Sequence, residues 1–177
     1  LIINHENYFV YEKVRQPKNA AELLEEMDFN GIDEAVTYHQ TMIDVAPVWG
    51  NEYYLKDKEN YTGRLYGMLT ILPSITENYF SPTHLYSLIR KNNIFGLRAN
   101  PKLNRYFLDS ISCGDILDFC IGNNIPIYLS PDNGWEFIYN TLKEFPDLTV
   151  IITNYGLWGS DRYFYPLINS YKNVYID

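Results

Sequence analysis

A short run of branched apolar residues at positions 148–153 constrains the fold of this chain more than any other feature. The run reads Leu-Thr-Val-Ile-Ile-Thr, with Pro146 before it and Gly156 shortly after it. It is too short for a core helix, and its composition is typical of a strand buried on both faces. Strands of that kind occur in parallel sheets with helices on their faces, so we expect a parallel α/β architecture.

Strand and helix patterns alternate along the rest of the chain, with short connections between them. Predicted strands cover residues 1–4, 32–39, 64–72, 94–98, 125–129, 148–154 and 173–177. Predicted helices lie between them, with N-caps at Asn19, at Ser81, at or near Ser112, at Asn133 and at Ser160-Asp161. A polar loop is expected after His39, followed by a weak helix at residues 51–60. This alternation indicates βαβ units with right-handed crossovers in a single domain, residues 1–177.

Two architectures fit this alternation: a doubly wound sheet and a (β/α)8 barrel. No G-x-G-x-x-G or Walker sequence follows any predicted strand, which removes the main support for a nucleotide-binding doubly wound fold. We therefore predict a (β/α)8 barrel of the TIM type, incomplete as given, with about seven parallel strands. The C-terminal βα unit is expected to be lacking.

Composition excludes several classes of partner. The formal net charge is −8 and Lys and Arg form no long run, so we expect no nucleic-acid binding. No apolar stretch approaches the roughly 20 residues of a membrane span, and the N-terminus lacks a secretory pattern. Cys113 and Cys120 lie too far apart along one helix for a disulfide, so reduced thiols and a cytoplasmic location are expected.

Several phrases of the sequence resemble the amidohydrolase-related family of metal-dependent TIM-barrel hydrolases and decarboxylases. They are Leu-Leu-Glu-Glu-Met-Asp followed by Gly-Ile-Asp, then Gly96-Leu-Arg98, Ile-Pro-Ile from Ile125, Phe-Pro-Asp-Leu from Phe145 and the closing Asn-Val-Tyr-Ile-Asp. Their order and spacing run through nearly the whole chain. The resemblance implies a barrel whose strand ends hold a divalent metal, zinc in particular.

The family's ligand positions can be carried over one at a time. Its first-strand His-x-His motif falls on His5 and Asn7, which the resemblance therefore marks as the metal positions. Histidines of the fifth and sixth strands would fall near Ser130 and on Asn154. Because amide oxygens hold zinc poorly, this metal site departs from the family pattern. The alternative that the protein binds no metal is therefore kept.

Residues at the predicted strand ends form the candidate site. Arg98 ends an apolar strand, where a guanidinium needs a partner, so we expect it to line the pocket and hold a carboxylate; an internal ion pair is the alternative. The candidate catalytic residues are His5, His39 and Arg98, and the candidate substrate-binding residues are Ser130, Asp132 and Asn154. Carboxyl ends of parallel strands share one edge, so these residues are expected to lie together.

Two functions remain open at this point. One is a hydrolase or decarboxylase acting on a small carboxylate- or amide-bearing substrate, as the resemblance implies. The other is a barrel that binds a small molecule without metal chemistry, as a binding or regulatory protein. The two differ in how many imidazoles stand at the strand ends. A homo-oligomer is compatible with either.

Overall fold

Six parallel strands form the centre of the described part of the chain. In the computed structural model the described residues are 17, 19–58, 63–75, 78–155 and 160–177. The strands are β1 (Ala35–Thr37), β2 (Leu65–Ile71), β3 (Ile94–Ala99), β4 (Ile127–Leu129), β5 (Val150–Ile152) and β6 (Val174–Ile176). Their order in the sheet is the order of the sequence, β1 to β6, with every neighbouring pair parallel. A doubly wound sheet reverses its strand order, so this sheet is part of a TIM-type barrel, as predicted.

In the described part of the chain, eight α-helices connect and cover these strands. They are α1 (Ala20–Asn30), α2 (Thr41–Asp44), α3 (Pro47–Lys58), α4 (Pro82–Asn92), α5 (Pro101–Asn104), α6 (Ser110–Asn123), α7 (Trp135–Glu144) and α8 (Asp161–Ser170). The loop predicted after His39 was wrong, because α2 and the start of α3 occupy it. Met42 of α2 is fully buried, and a Cβ on Gly50 would lie 2.3 Å from the Met42 backbone. Tight helix packing around one apolar side chain therefore turns a polar-looking segment into helix.

The core lies between the sheet and the helices on its outer side. Strand residues such as Leu69, Leu97 and Ile152 are fully buried in one cluster with Ile116 of α6 and Ile138 of α7. The six strands correspond to the second to seventh predicted strands, although most are shorter than expected. Residues 1–4, predicted as the first strand, lie outside the described residues.

Helix starts agree only partly with the predicted caps. The Asn19 side chain accepts a hydrogen bond from the Glu22 backbone N–H at 3.0 Å, and Ser81 precedes Pro82 at the start of α4, as predicted. The cap predicted at or near Ser112 is Asp109, three residues earlier, whose carboxylate accepts from the Ser112 N–H at 2.8 Å. An ionised carboxylate is the stronger acceptor for first-turn amides.

Asn51 of α3 completes the edge of β2 beyond the end of β1. Strand β1 ends at Thr37, level with Gly67, so it cannot pair with the backbone of Thr70. The Asn51 amide replaces it: its Oδ1 accepts from the Thr70 N–H at 3.0 Å and its Nδ2 donates to the Thr70 carbonyl at 2.9 Å. Both residues are fully buried. The Asn51 side chain thus supplies the two hydrogen bonds that a neighbouring strand would make with Thr70 at the carboxyl end of β2.

Both cysteines are free and buried on α6. Burial raises the pKa of each thiol to about 12, which disfavours the thiolate form of Cys113 and Cys120 in the folded protein. Among the helices that the structure describes, none is long and apolar enough to cross a membrane.

Candidate functional site

A cavity of about 460 Å³ opens at the carboxyl ends of β3 and β4. The loop after β3 and the loop after β4 supply most of its wall. Its described lining residues are Ile43, Arg98, Asn100, Lys102, Leu103, Arg105, Ser130, Asp132 and Asn133. The cavity lies where parallel α/β barrels place their ligands.

Arg98 lies in the floor of this cavity with 4% of its surface exposed. Its guanidinium carbon stands 4.7 Å from the ring centroid of Tyr38, a cation–π contact. Among the described residues, its Nε has no hydrogen-bond partner and no carboxylate pairs with the guanidinium. The predicted pocket position is therefore observed, whereas the internal ion pair is not found in the described part of the chain. A buried guanidinium donor remains for an acceptor on a ligand.

Asn100 lies beside Arg98 in the same floor, and sequence reasoning missed it. It occupies the N-cap position of α5, yet its side chain makes no capping hydrogen bond there. It is 4% exposed, and its Nδ2 has no hydrogen-bond partner in the described part of the chain. The available signal was an Asn directly after a buried strand and before Pro101. Two buried donors without acceptors in one cavity favour an acceptor-rich ligand.

Asp132 is held in place by the two other candidate binding residues. The Ser130 hydroxyl donates to Asp132 Oδ2 at 2.7 Å, and Asn154 Nδ2 donates to the same oxygen at 3.3 Å. Asn154 adopts a left-handed backbone with φ of 52°, which Asn tolerates better than most residues. The structure therefore brings together Ser130, Asp132 and Asn154, and places the first two in one cavity with Arg98.

Asn133 connects the two loops that form the cavity wall. Its Oδ1 accepts from the Lys102 backbone N–H at 3.2 Å, and its Nδ2 donates to the Ser130 carbonyl at 3.3 Å. The prediction that Asn133 caps the next helix was wrong, because Gly134 is the N-cap of α7 and Asn133 ends the 3-10 turn Pro131–Asn133. Gly134 has φ of 105°, a conformation that ends this turn just before the helix.

The cavity is more positive than the protein as a whole. Arg98, Lys102 and Arg105 contribute cations, and Asp132 is the one anionic residue among its described lining residues. Lys102, Arg105 and Asp132 are exposed at the rim, whereas Arg98 is buried. The formal net charge of the chain is −8. A local positive potential on an acidic protein attracts small anions.

His39 lies at the end of β1 but is not among the described residues that line the cavity. Its Nδ1 accepts a hydrogen bond from the Thr41 backbone N–H at 3.2 Å, which stabilises the first turn of α2. Its ring centroid is 6.1 Å from that of Tyr53. Tyr38, its neighbour in the chain, is the residue that contacts Arg98. His5 and Asn7, the predicted metal positions, lie outside the described residues.

The described residues of the cavity do not fit a divalent metal. No group of three His, Cys, Asp or Glu side chains placed to hold a metal ion occurs in the described part of the chain. In the cavity, Asp132 already accepts two hydrogen bonds through one oxygen, and the three cations would repel a dication. Ser130 and Asn154 offer neutral oxygens where zinc prefers imidazole or thiolate.

No protein-family profile and no curated protein matches this sequence. Solved structures do match its fold. An uncharacterized TIM-barrel protein from Bordetella bronchiseptica has a TM-score of 0.66 at 20% identity, over 90% of this chain and 59% of that one. A dihydroorotase from Campylobacter jejuni has a TM-score of 0.60 at 16% identity, over 87% and 47%. A 5-carboxyvanillate decarboxylase from Novosphingobium aromaticivorans, solved with manganese, has a TM-score of 0.56 at 16% identity, over 82% and 52%.

These similarities establish the fold of the chain. The dihydroorotase and the decarboxylase are amidohydrolase-superfamily enzymes with TIM barrels, and this chain shares that architecture. It spans between 47% and 59% of the length of the three proteins. The predicted TIM-type fold is thus confirmed, with six parallel strands in the described part of the chain.

Proposed function

We propose that this chain is an amidohydrolase-like protein that takes a small carboxylate-bearing molecule into the cavity beside Arg98, as a hydrolase or decarboxylase. The single observation that carries the proposal is the pair of buried, unpartnered donors, Arg98 Nε and Asn100 Nδ2, in one cavity. Leaving such donors without acceptors costs about 1–3 kcal/mol each, and a ligand carboxylate would satisfy both.

The hydrolase or decarboxylase reading is supported by the fold and by the solved structures that share it. A dihydroorotase and a carboxyvanillate decarboxylase use this architecture. At 16% identity they share the fold with this chain, and their own substrates are not assigned to it. In this reading Arg98 and Asn100 hold the carboxylate, and Lys102 and Arg105 attract it to the rim. His5 and His39 remain the candidates for proton transfer or metal binding.

A second function is favoured by the donor set of the cavity. The described lining has three cations and neither an imidazole nor a thiolate, which suits an anion and not a zinc ion. A barrel that binds a small carboxylate without catalysing a reaction fits these residues equally well. The two readings share the same binding site and differ in metal and turnover.

Arg98→Met tests the shared part of both readings. Titration calorimetry with succinate as the probe should show binding by the unaltered protein, weakened about 10- to 100-fold by the substitution, because a charge-assisted hydrogen bond contributes roughly 1.5–3 kcal/mol. The matched control is Arg90→Met, since Arg90 is exposed on α4 and lies 5.6 Å from the Tyr86 ring. Equal binding by both variants would refute the assigned site.

Metal titration separates the enzyme from the binding protein. Metal-stripped protein is titrated with zinc and with manganese, and the experiment is repeated with His5→Ala. Tight stoichiometric binding that His5→Ala abolishes would support the metal-dependent enzyme. The binding protein without metal chemistry would be supported by two results together. The unaltered protein binds the metal feebly, and the double substitution Asn7→His with Asn154→His strengthens metal binding at least tenfold.

A further inference from the structure

Asp132 is an anionic residue in a cavity that otherwise attracts anions. Among the described residues the structure has one ion pair, Arg64 with Asp28, so Asp132 pairs with none of the cavity's three cations. Its Oδ2 accepts from Ser130 and Asn154, whereas its Oδ1 accepts no hydrogen bond from a described residue. The carboxylate is exposed at the cavity rim. One fixed acceptor atom is therefore left available to a ligand.

We propose that Asp132 selects ligands that carry a hydroxyl or an ammonium group in addition to the carboxylate held by Arg98 and Asn100. The inference rests on the proposed carboxylate site. A hydroxyl or ammonium donates to Asp132 Oδ1, whereas a second carboxylate in that position would be repelled by it. The substrate class is then a small hydroxy acid or amino acid.

The surroundings of Asp132 prepare it for this role. Ser130 is 3% exposed, and its hydroxyl both donates to Asp132 Oδ2 at 2.7 Å and accepts from the Asp132 N–H at 3.2 Å. Asn154 approaches the same oxygen from the end of β5. These contacts limit the rotation of the carboxylate before any ligand arrives, so little side-chain entropy is lost on binding.

The rim cations allow an anionic ligand to pass Asp132. Lys102 and Arg105 line the same cavity and are exposed, so they offset the charge of Asp132 at the mouth. Arg98 and Asn100 lie deeper and provide the donors for a carboxylate. The cavity thus separates a region for a carboxylate from an acceptor for a donor group, which is the pattern of a polar bifunctional ligand.

Paired ligands that differ in one group test the selection. The dissociation constants of succinate, malate and aspartate are measured by calorimetry for the unaltered protein, Asp132→Ala and Asp132→Asn. Malate and aspartate should bind the unaltered protein about 2- to 13-fold more tightly than succinate, the range of one ordinary hydrogen bond. Asp132→Ala should reduce this ratio to near one and tighten succinate binding, because a like charge is removed. Asp132→Asn should lose the preference for aspartate, since the amide carries no charge.

The control is Asp118→Ala, which removes an exposed carboxylate on α6 and should leave the ratio between the ligands unchanged. Damage to the fold would weaken all three ligands together, whereas the loss of selection changes their ratio. A malate-to-succinate affinity ratio that is the same in Asp132→Ala as in the unaltered protein, or that equals one in the unaltered protein, would overturn the inference. Succinate binding that depends on Arg98 would still uphold the proposed site. Binding of none of the three ligands would overturn both.

Discussion

Replacing Asn51 tests how the sheet is completed near the candidate site. Its amide satisfies both backbone groups of Thr70, at 3.0 Å and 2.9 Å, in a fully buried position. Asn51→Ala leaves a buried N–H and a buried carbonyl without partners. At about 1–3 kcal/mol for each unsatisfied group, the free energy of unfolding should fall by roughly 2–6 kcal/mol. Typical domains have only about 5–15 kcal/mol in total, so this loss is severe.

Asn51→Leu separates the lost hydrogen bonds from the lost volume. Leucine has the branched shape of asparagine and a somewhat larger volume, so it leaves no cavity, but it can pair with neither backbone group. This variant should therefore be destabilised almost as much as Asn51→Ala. Urea unfolding followed by circular dichroism gives the free energy of unfolding of each variant. The control is Asn123→Ala. The exposed Asn123 side chain donates to the Phe119 carbonyl at 2.8 Å, and its removal should lower the free energy of unfolding by less than about 1 kcal/mol.

The reasoning would be refuted if Asn51→Leu were as stable as the unaltered protein. That result would mean that water or a backbone shift satisfies Thr70 without the amide. A loss below about 1 kcal/mol in Asn51→Ala would lead to the same conclusion. A loss within the expected range in both variants, with Asn123→Ala near the unaltered protein, would support the role of Asn51 as a substitute strand.

Three further predictions concern stability. Gly96→Ala should lower the free energy of unfolding by about 1–3 kcal/mol, because its Cβ would lie 2.6 Å from the Tyr128 ring; Gly114→Ala, with one neighbour at 3.8 Å, should be neutral or stabilising in the same urea assay. Asn124→Gly should raise the melting temperature slightly, since Asn124 has φ of 53° at the end of α6, and a lower melting temperature would contradict this. Burial raises the Cys120 pKa from its ordinary value of 9.0 to about 12, so the unfolded state loses its proton first. Stability should therefore fall as pH rises from about 9 toward 12. Cys120→Ala should flatten that fall in urea unfolding at pH 8, 9 and 10 under reducing conditions, and an equally steep fall would exclude Cys120 as its cause.

Much of the secondary structure could be predicted from the sequence because local patterns encode it. The β-branched run around Val150 and Ile152 became a central strand, and the polar residues after it marked a strand end. The cap at Asn19 and the start of α4 after Ser81 follow from short-range hydrogen bonding and the fixed φ of proline, which need no distant partner. The parallel architecture followed because buried strands alternating with amphipathic helices have few other solutions.

Only some residues of the candidate site could be predicted from the sequence. Arg98 could be recognised as a charge on an apolar strand, and Ser130 and Asn154 as residues at strand ends. Asn100 and the bridging role of Asn133 could not, since they depend on two loops meeting in space. Either Asn133 or Gly134 could cap the next helix by the sequence pattern. The 3-10 turn at Pro131–Asn133 places Gly134 in the cap position.

The sequence by itself determined most of the buried and helical segments and the strand ends that carry polar residues, because periodicity and capping depend on near neighbours; the helices after His39 are the exception. Tertiary structure alone decided the sequential strand order, the length of each strand and the composition of the cavity. A strand ends where its neighbour stops offering hydrogen bonds, as β1 does at Thr37, and Asn51 then takes over at Thr70. Likewise, Arg98 lies in one cavity with Asp132 only because β3 and β4 are adjacent, and adjacency is a property of pairing that no local pattern contains.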